Sequence, residues 1–337
     1  MTLFLIYLLG CFFLGLPFLP SIFEILRPSD SKSLKITNHI LRDPRSSPQF
    51  LFWHYAQLLG AENLEALSAI AHVDKPTLLN ESILALPKGK VSTLDRSISR
   101  VLSGGSIELL SHTAYLCKIV SLQSILTGSH NGLNEIHAKD RLTIGENSKL
   151  LWWASGTDII LKPRLDLPGK IQANRSIQIE GEMLFHHLEA PTISYATEER
   201  LAHFVALPLT LPRHTYKESC NIKANETFEG DLIVKGDLVL NENSAVHGSV
   251  KCHGKLILHS GSRVTGNVVS LGDMECLGNN WIGGTILGQK NISFLPGARI
   301  GSENQKVTLS AHTIQISKNF KAHGTIRAWK RGIVRGP

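Results

Sequence analysis

The chain has 337 residues, of which 42% are hydrophobic, and it contains 28 glycines but 3 methionines. This composition favours short strands separated by turns over a helical bundle. The net charge of +7 comes from scattered Lys and Arg, apart from the C-terminal "RAWKRGIVRGP", which argues against a nucleic-acid groove. The 5 cysteines form no CxxC pair, which argues against a disulfide framework and favours a reducing compartment.

The N-terminus predicts a membrane anchor over residues 1–27. No charged residue precedes Glu24, and the apolar stretch, residues 3–23, is long enough to cross a bilayer. A basic n-region and a small-residue cleavage site, which a signal peptide needs, are both missing. Basic residues such as Arg27 and Lys32 follow the span and none precedes it. The positive-inside rule therefore places the body of the protein in the cytoplasm.

Residues 28–100 are predicted to be a linker and a helical region. The linker begins with a polar stretch that contains Pro28, Pro44 and Pro48. Apolar residues then recur at helical spacing between residues 50 and 70, which favours one or two short helices. Residues 71–100 are ambiguous and carry no recognisable chemistry.

A repeat of eighteen residues governs the chain from Gly230. Its four lines are GDLIVKGDLVLNENSAVH, GSVKCHGKLILHSGSRVT, GNVVSLGDMECLGNNWIG and GTILGQKNISFLPGARIG. Apolar residues two apart on short strands, broken at a fixed period, are typical of a β-solenoid. The predicted core ladder comprises Leu232, Leu238, Leu240, Val246, Val250, Leu256, Leu258, Val264, Val268, Met274, Ile282, Ile286, Ile292, Phe294 and Ile300.

The corners of these coils are predicted from the fourteenth place of each line. That place holds Asn243, Gly261, Asn279 and Gly297, residue types that accept a left-handed backbone. The handedness of the whole solenoid does not follow from the period. Eighteen is also three hexapeptides, so the spacing suits a left-handed β-helix about as well as a right-handed one.

The same periodicity extends in both directions. Upstream, two ladders run in step: Ile119, Ile136, Trp153 and Ile171, and Ile107, Ile125, Leu142, Ile159 and Ile177. Downstream, the pattern resumes at Ile314 after an insertion of about four residues. Two similar segments, "LEAPTISY" and "LSAHTIQI", each close a run of coils in this interpretation. The sequence therefore predicts a first β-helix block over 101–195, an inserted loop over 196–216, a second block over 217–328 and a basic tail over 329–337.

The Gly-started coils of residues 230–301, such as "GDLIVKGDLVLNENSAVHGSVKCHGKLIL", resemble the bactofilins, a family of polymer-forming bacterial cytoskeletal proteins. The resemblance covers the second block well and the first block more loosely. It implies a right-handed β-helix that polymerises end to end without nucleotide, often at the membrane, and supports cell shape or localises envelope proteins. It also implies a bacterial inner-membrane location. The long N-terminal extension, the first block and the inserted loop depart from the family pattern.

The runner-up function is a hexapeptide acyltransferase acting on an envelope sugar, with a histidine as general base. His203 and His214 in the inserted loop are its best candidates, and His186 and His187 are weaker ones. The sequence contains no P-loop, GxSxG, HExxH or dinucleotide fingerprint. We therefore expect a non-enzymatic protein without catalytic residues or cofactors, whose partners are itself, envelope proteins and the membrane, with no nucleic acid.

Three histidines six residues apart, His247, His253 and His259, raise the question of a metal site. In a three-sided coil of eighteen residues they fall on different sides. No second histidine lies one coil further on to complete a set of ligands. Cys252 falls at a place where a small inward side chain suits the core. We interpret the spacing as a consequence of the fold and predict no metal site.

Overall fold

The computed structural model describes residues 73–91, 94, 98–196 and 212–336. The predicted anchor over 1–27, the helical stretch between residues 50 and 70, and residues 197–211 of the inserted loop lie outside the described residues. Every regular element in the described ranges is a β-strand, and the strands wind into a solenoid of about 13 coils. No helix within these ranges is long and apolar enough to cross a membrane.

Two blocks of coils make up the solenoid. The first block contains β1 (Thr77–Asn80), β2 (Ile83–Leu86), β3 (Gly89–Val91), β4 (Arg100–Ser103), β5 (Ile107–Leu109), β6 (Ala114–Ser121), β7 (Ile125–Thr127), β8 (Gly132–Ala138), β9 (Arg141–Ile144), β10 (Lys149–Leu161), β11 (Leu165–Ile179) and β12 (Met183–Tyr195). β1 runs antiparallel to β2, and the other pairings inside this block are parallel.

The second block begins again at Arg213. It contains β13 (Arg213–Tyr216), β14 (Cys220–Ile222), β15 (Thr227–Glu229), β16 (Asp231–Val234), β17 (Leu238–Leu240), β18 (Ala245–His247), β19 (Val250–Cys252), β20 (Leu256–Leu258), β21 (Arg263–Val264), β22 (Val268–Ser270), β23 (Met274–Cys276), β24 (Trp281–Ile282), β25 (Ile286–Gly288), β26 (Asn291–Phe294), β27 (Arg299–Ile300), β28 (Val307–Ile316) and β29 (Phe320–Val334). Each strand pairs in parallel with its counterpart one coil later.

The core is a stack of apolar ladders along the inside of the coils. Every residue of the predicted core ladder is buried, and Leu232 pairs with Val250, which pairs with Val268. Burial alternates along each short strand because successive side chains point to opposite faces of a sheet. Cys252 points inward and is fully buried.

The predicted corners are confirmed. Asn243, Gly261, Asn279 and Gly297 all have positive φ, from 50° to 87°. Asn and Gly adopt this left-handed conformation at little cost, which explains why the fourteenth place of each coil is restricted to them. The predicted insertion is also present: Ile292 pairs with Ile314, four residues beyond the eighteen-residue period, and an isolated bridge joins Ser302 to Gln305 in between.

One predicted ladder is wrong by one residue. The inward row runs Ile119, Ile136, Ala154 and Ile171, so Ala154 and not Trp153 fills the core position. Trp153 lies on the outer face, half-buried, because it is the immediate neighbour of an inward residue on a pleated strand. The second upstream ladder, which begins at Ile107, pairs as predicted.

The structure also differs from the predicted blocks at their margins. Residues 77–91, expected within the linker and helical region, form strands β1 to β3, because β2 and β3 stack on the next coil. Residues 213–216, expected in the loop, form β13. Residues 329–334, expected in the basic tail, belong to β29, whose inward residues stay apolar as far as Val334. "LSAHTIQI" lies in β28, and β29 adds a further coil after it.

The two blocks meet at their C-terminal coils. β12, the last coil of the first block, pairs antiparallel with β29, the last coil of the second block, along almost its whole length. Leu188 lies opposite Ile326, and Tyr195 lies opposite Phe320. The Tyr195 hydroxyl donates a hydrogen bond to the Arg335 carbonyl oxygen at 3.0 Å. The two sheets are therefore continuous across this junction.

Candidate functional site: a tryptophan-lined groove at the block junction

A groove of about 600 Å³ lies on the outer surface where the two blocks meet. One outward row of the sheet supplies its floor: Trp153 pairs with Lys170, which pairs with His187, which lies opposite Arg327 across the junction. The antiparallel pairing of β12 with β29 is what brings Arg327 beside residues far earlier in the chain. The groove is therefore a product of the junction and not of either block alone.

Two exposed tryptophans line the groove. Trp152 lies at a register irregularity of β10 and is 67% exposed, and Trp329 on β29 is 62% exposed. The Arg327 guanidinium carbon lies 4.1 Å from the ring centroid of Trp329, a cation–π contact that holds the indole on the outside of the strand. The Trp329 indole N–H also donates to the Ser310 hydroxyl at 3.0 Å. Large aromatic surfaces left exposed and oriented are characteristic of binding sites.

Three polar atoms in the groove residues have no hydrogen-bond partner: the indole Nε1 of Trp153, Oε1 of Gln172 and Nε2 of His187. All three are shielded from solvent, and Gln172 as a whole is 7% exposed. A buried polar group without a partner costs about 1–3 kcal/mol, so native proteins keep few of them. A group of three in one place points to a site whose partners come from a ligand.

Glu189 organises the charges under the groove. Its carboxylate accepts from Lys170 Nζ at 2.9 Å and lies 3.8 Å from His187 Nε2. Burial first, and then the nearby Lys170 and Arg327, lower the pKa of His187 to about 4 against the opposing charge of Glu189. His187 is therefore neutral at pH 7. Arg327 has no ion pair within the described ranges, so its positive charge is available at the groove.

A buried polar network lies on the same outer face, one coil from Trp153. His137 contacts the Ser155 hydroxyl through Nδ1 at 2.7 Å and Glu135 through Nε2 at 2.8 Å, and Lys118 contacts Glu135 at 2.6 Å. Burial lowers the pKa of His137. Burial on its own would raise the pKa of Glu135, but the bonds from His137 and Lys118 lower it overall. Since the ionised carboxylate only accepts, Nε2 carries the proton and Nδ1 accepts from Ser155.

This network has the composition of a Ser–His–Glu triad, but Ser155 is 4% exposed and His137 is fully buried. A serine nucleophile has to reach a substrate carbonyl, and Ser155 is both buried and absent from the lining of the groove. We therefore assign the network a structural role in joining coils. The Trp153 ring packs edge-on against His137, with centroids 5.0 Å apart, and so connects the network to the groove.

The other histidines that the sequence singled out lie in different parts of the chain and, within the described residues, do not form a site together. His214 lies exposed on β13, edge-on against Phe228, and His203 lies outside the described residues. His247 donates through Nδ1 to the Glu229 carboxylate at 2.8 Å across one coil. No group of three or more His, Cys, Asp or Glu side chains in the described part of the chain could hold a metal ion. His186 and His187, the weaker candidates, are the two that line the groove.

Sequence reasoning missed most of the groove. The predicted ladder placed Trp153 in the core, whereas both Trp153 and its neighbour Trp152 lie outside it. Strand alternation would put one of two adjacent tryptophans inward, but the register of β10 shifts between Leu150 and Trp153, so both lie outside. Nothing in the periodicity indicated that the segment around Trp329 would pair with residues 183–195.

No family model, no curated protein and no solved structure matches this chain. The resemblance to the bactofilins therefore remains a resemblance carried by the coils of residues 230–301.

Proposed function

We propose that this protein is a membrane-anchored scaffold that self-associates through the ends of its β-solenoid without nucleotide. In this proposal residues 3–23 cross a bacterial inner membrane, the body lies in the cytoplasm, and the assembly supports cell shape or localises envelope proteins. The coils are proposed to be right-handed, in keeping with the bactofilin resemblance and with the strong preference of parallel strand connections for that hand.

The observation that carries the proposal is the pairing of β12 with β29. Two solenoid ends in this chain already join by backbone hydrogen bonds between whole coils, with matched inward residues on both sides. Coil ends of this fold are therefore competent to pair. Because the two C-terminal coils are used inside the chain, the N-terminal coils of the blocks are left for contacts between copies.

The first coil of the second block has the features of such a contact. No described strand pairs with the outer edge of β13, β14 or β15. The carbonyl oxygens of Pro212 and Tyr216 accept bonds from the N–H groups of Asp231 and Lys235, so the N–H of the intervening Thr215 faces away from the next coil. An unpaired strand edge is a template for pairing with another chain.

Thr215 provides the test. The full-length protein, purified in detergent without nucleotide, is expected to sediment as large oligomers and to form filaments in electron micrographs. Thr215→Pro removes one outward N–H and is expected to shift the protein to small particles, because proline cannot donate to a ladder. Thr215→Ala keeps that N–H and serves as the matched control, with wild-type assembly.

Monodisperse small particles of the wild-type protein would contradict self-association. A discrete trimer that binds acyl-coenzyme A would instead support the acyltransferase hypothesis. Assembly of Thr215→Pro to the wild-type extent would show that contacts between copies do not use the β13 edge.

A further inference from the structure

We propose that the groove at the block junction binds an acidic saccharide. This inference does not depend on self-association, since the groove lies on the outer face at the junction and the proposed contact lies at the other end of the second block. Three features of the groove carry it: its exposed aromatic faces, its unpaired polar atoms and its unpaired positive charge.

The aromatic faces fit a sugar ring. Trp152 and Trp329 are both more than half exposed, although burying an indole ring would be favourable. The contacts from Arg327 and Ser310 keep Trp329 in a fixed position. A pyranose presents an apolar face of C–H groups that covers such a ring, while its hydroxyls stay at the edge to form hydrogen bonds.

The unpaired polar atoms discriminate between ligand classes. Trp153 Nε1 is a donor, Gln172 Oε1 is an acceptor, and His187 Nε2 takes either role by tautomer. A sugar hydroxyl both donates and accepts, so hydroxyls that enter between the groove side chains satisfy all three atoms, none of which contacts solvent in the unbound protein. A proline-rich peptide, the other usual ligand of tryptophan grooves, offers carbonyl acceptors and lacks N–H donors at its prolines, which leaves Gln172 unpaired.

The charge of the groove selects an acidic sugar. Lys170 is neutralised by Glu189, whereas Arg327 has no ion pair within the described ranges and is solvent-exposed. A guanidinium binds a carboxylate through two parallel hydrogen bonds. Single-stranded nucleic acid instead needs a run of basic side chains that follows several phosphates, and the groove offers one unpaired guanidinium.

The test uses trigalacturonate and its methyl ester, which has the same rings without the charges. Isothermal titration calorimetry on the full-length protein is expected to show binding of trigalacturonate and weaker binding of the ester. Trp152→Ala and Trp329→Ala should each lower the affinities for trigalacturonate and for the ester by about tenfold, because each variant removes an aromatic face. Arg327→Gln should weaken trigalacturonate binding by about tenfold and ester binding by less, because it removes a charged hydrogen bond to the acid alone, whereas the loss of its contact with Trp329 affects both probes.

Tyr216→Ala is the matched control, since it removes an exposed aromatic ring away from the groove and should leave both affinities unchanged. Thermal unfolding of each variant checks that it folds, which the exposure of Trp152 and Trp329 makes the expected result. The proposal is overturned if neither probe binds, or if binding survives Trp152→Ala and Trp329→Ala. It is also overturned if decaproline or a thymidine decanucleotide binds the groove more tightly than trigalacturonate.

Discussion

Glycine at the first place of each coil is required by close approach between coils. A Cβ added at Gly266 would lie 2.6 Å from the carbonyl oxygen of Gly248 one coil earlier. That atom belongs to the backbone, so the coils themselves would have to move apart. Gly266→Ala is therefore expected to lower the stability by about 1–3 kcal/mol, measured by thermal unfolding.

Gly132→Ala is the matched control for that prediction. Its added Cβ would meet nothing nearer than 3.8 Å, on Ala114, and its φ is not in the left-handed region. Alanine also restricts the unfolded chain, so this variant is expected to be neutral or stabilising by up to about 1 kcal/mol. Equal losses in the two variants would show that close stacking is not the reason for the periodic glycines.

His187 makes the stability depend on pH. Its pKa falls from the ordinary value of 6.5 to about 4 in the folded protein, first because of burial and then because of Lys170. Below pH 6.5 the unfolded chain binds a proton that the folded chain does not bind until about pH 4. Stability is therefore full above pH 6.5 and declines between 6.5 and 4, by on the order of 2–3 kcal/mol.

His187→Gln should flatten that decline, measured as the unfolding temperature at steps between pH 7 and pH 4.5. His312→Gln replaces a solvent-exposed histidine and serves as the control that keeps the wild-type slope. His137 accounts for part of the remaining slope, since burial lowers its pKa as well. An unchanged slope in His187→Gln would contradict the assignment.

At the scale of single residues, the sequence predicted the core better than the surface. The core ladder and the left-handed corners follow from an eighteen-residue period that each coil repeats. Where the coils become irregular, as at Trp153, the period drifts between seventeen and eighteen residues and no longer distinguishes an inward residue from its neighbour. A shift of one residue along a pleated strand moves a side chain from the inward face to the outward face, which is why the predicted ladder contains Trp153 instead of Ala154.

At the scale of elements, the junction of β12 with β29 is the feature that the repeat could not predict. Parallel stacking inside a block produces a periodic sequence pattern, because equivalent positions of successive coils have the same packing environment. Antiparallel pairing of two end coils occurs once and leaves none. The repeat does not predict the groove for the same reason, since the groove residues come from both sides of the junction, in β10, β11, β12 and β29.

A double-mutant cycle tests the junction. Gly332 lies opposite Phe185 across it, and a Cβ at Gly332 would overlap the buried Phe185 ring. Gly332→Ala is expected to cost about 1–3 kcal/mol through overpacking. Phe185→Leu removes the outer ring atoms, so the double variant should lose less than the sum of the two single losses, by about 1 kcal/mol.

Thermal unfolding gives the four stabilities of this cycle, and amide hydrogen exchange locates the change. Protection in Gly332→Ala should fall in β12 and β29 and stay unchanged in distant strands such as β20. Additive losses, or a loss of protection spread evenly over the solenoid, would contradict direct packing of Gly332 against Phe185.

At the scale of the whole molecule, a solenoid is a one-dimensional array in which each coil contacts its neighbours. Coils in the interior are held on both sides, whereas an end coil is held on one. The junction converts two C-terminal ends into interior coils and leaves the N-terminal coils as the ends. Hydrogen exchange is therefore expected to be slowest around β12 and β29 and fastest in β1 to β3 and β13 to β15.

Raising the protein concentration should slow hydrogen exchange at the outward amide of Thr215. If copies pair through the edge of β13, the outward amide of Thr215 acquires a partner in the assembly, so its exchange slows as the protein concentration rises. The amide of Val250, which bonds to the Asn267 carbonyl oxygen inside the solenoid, serves as the internal reference and should not respond. In Thr215→Ala, which keeps the N–H, the concentration dependence should persist. Exchange at Thr215 that is equally fast at low and high concentration, in a sample that sediments as large oligomers, would place the contact between copies at another edge, and the outer edge of β3 is the next to test.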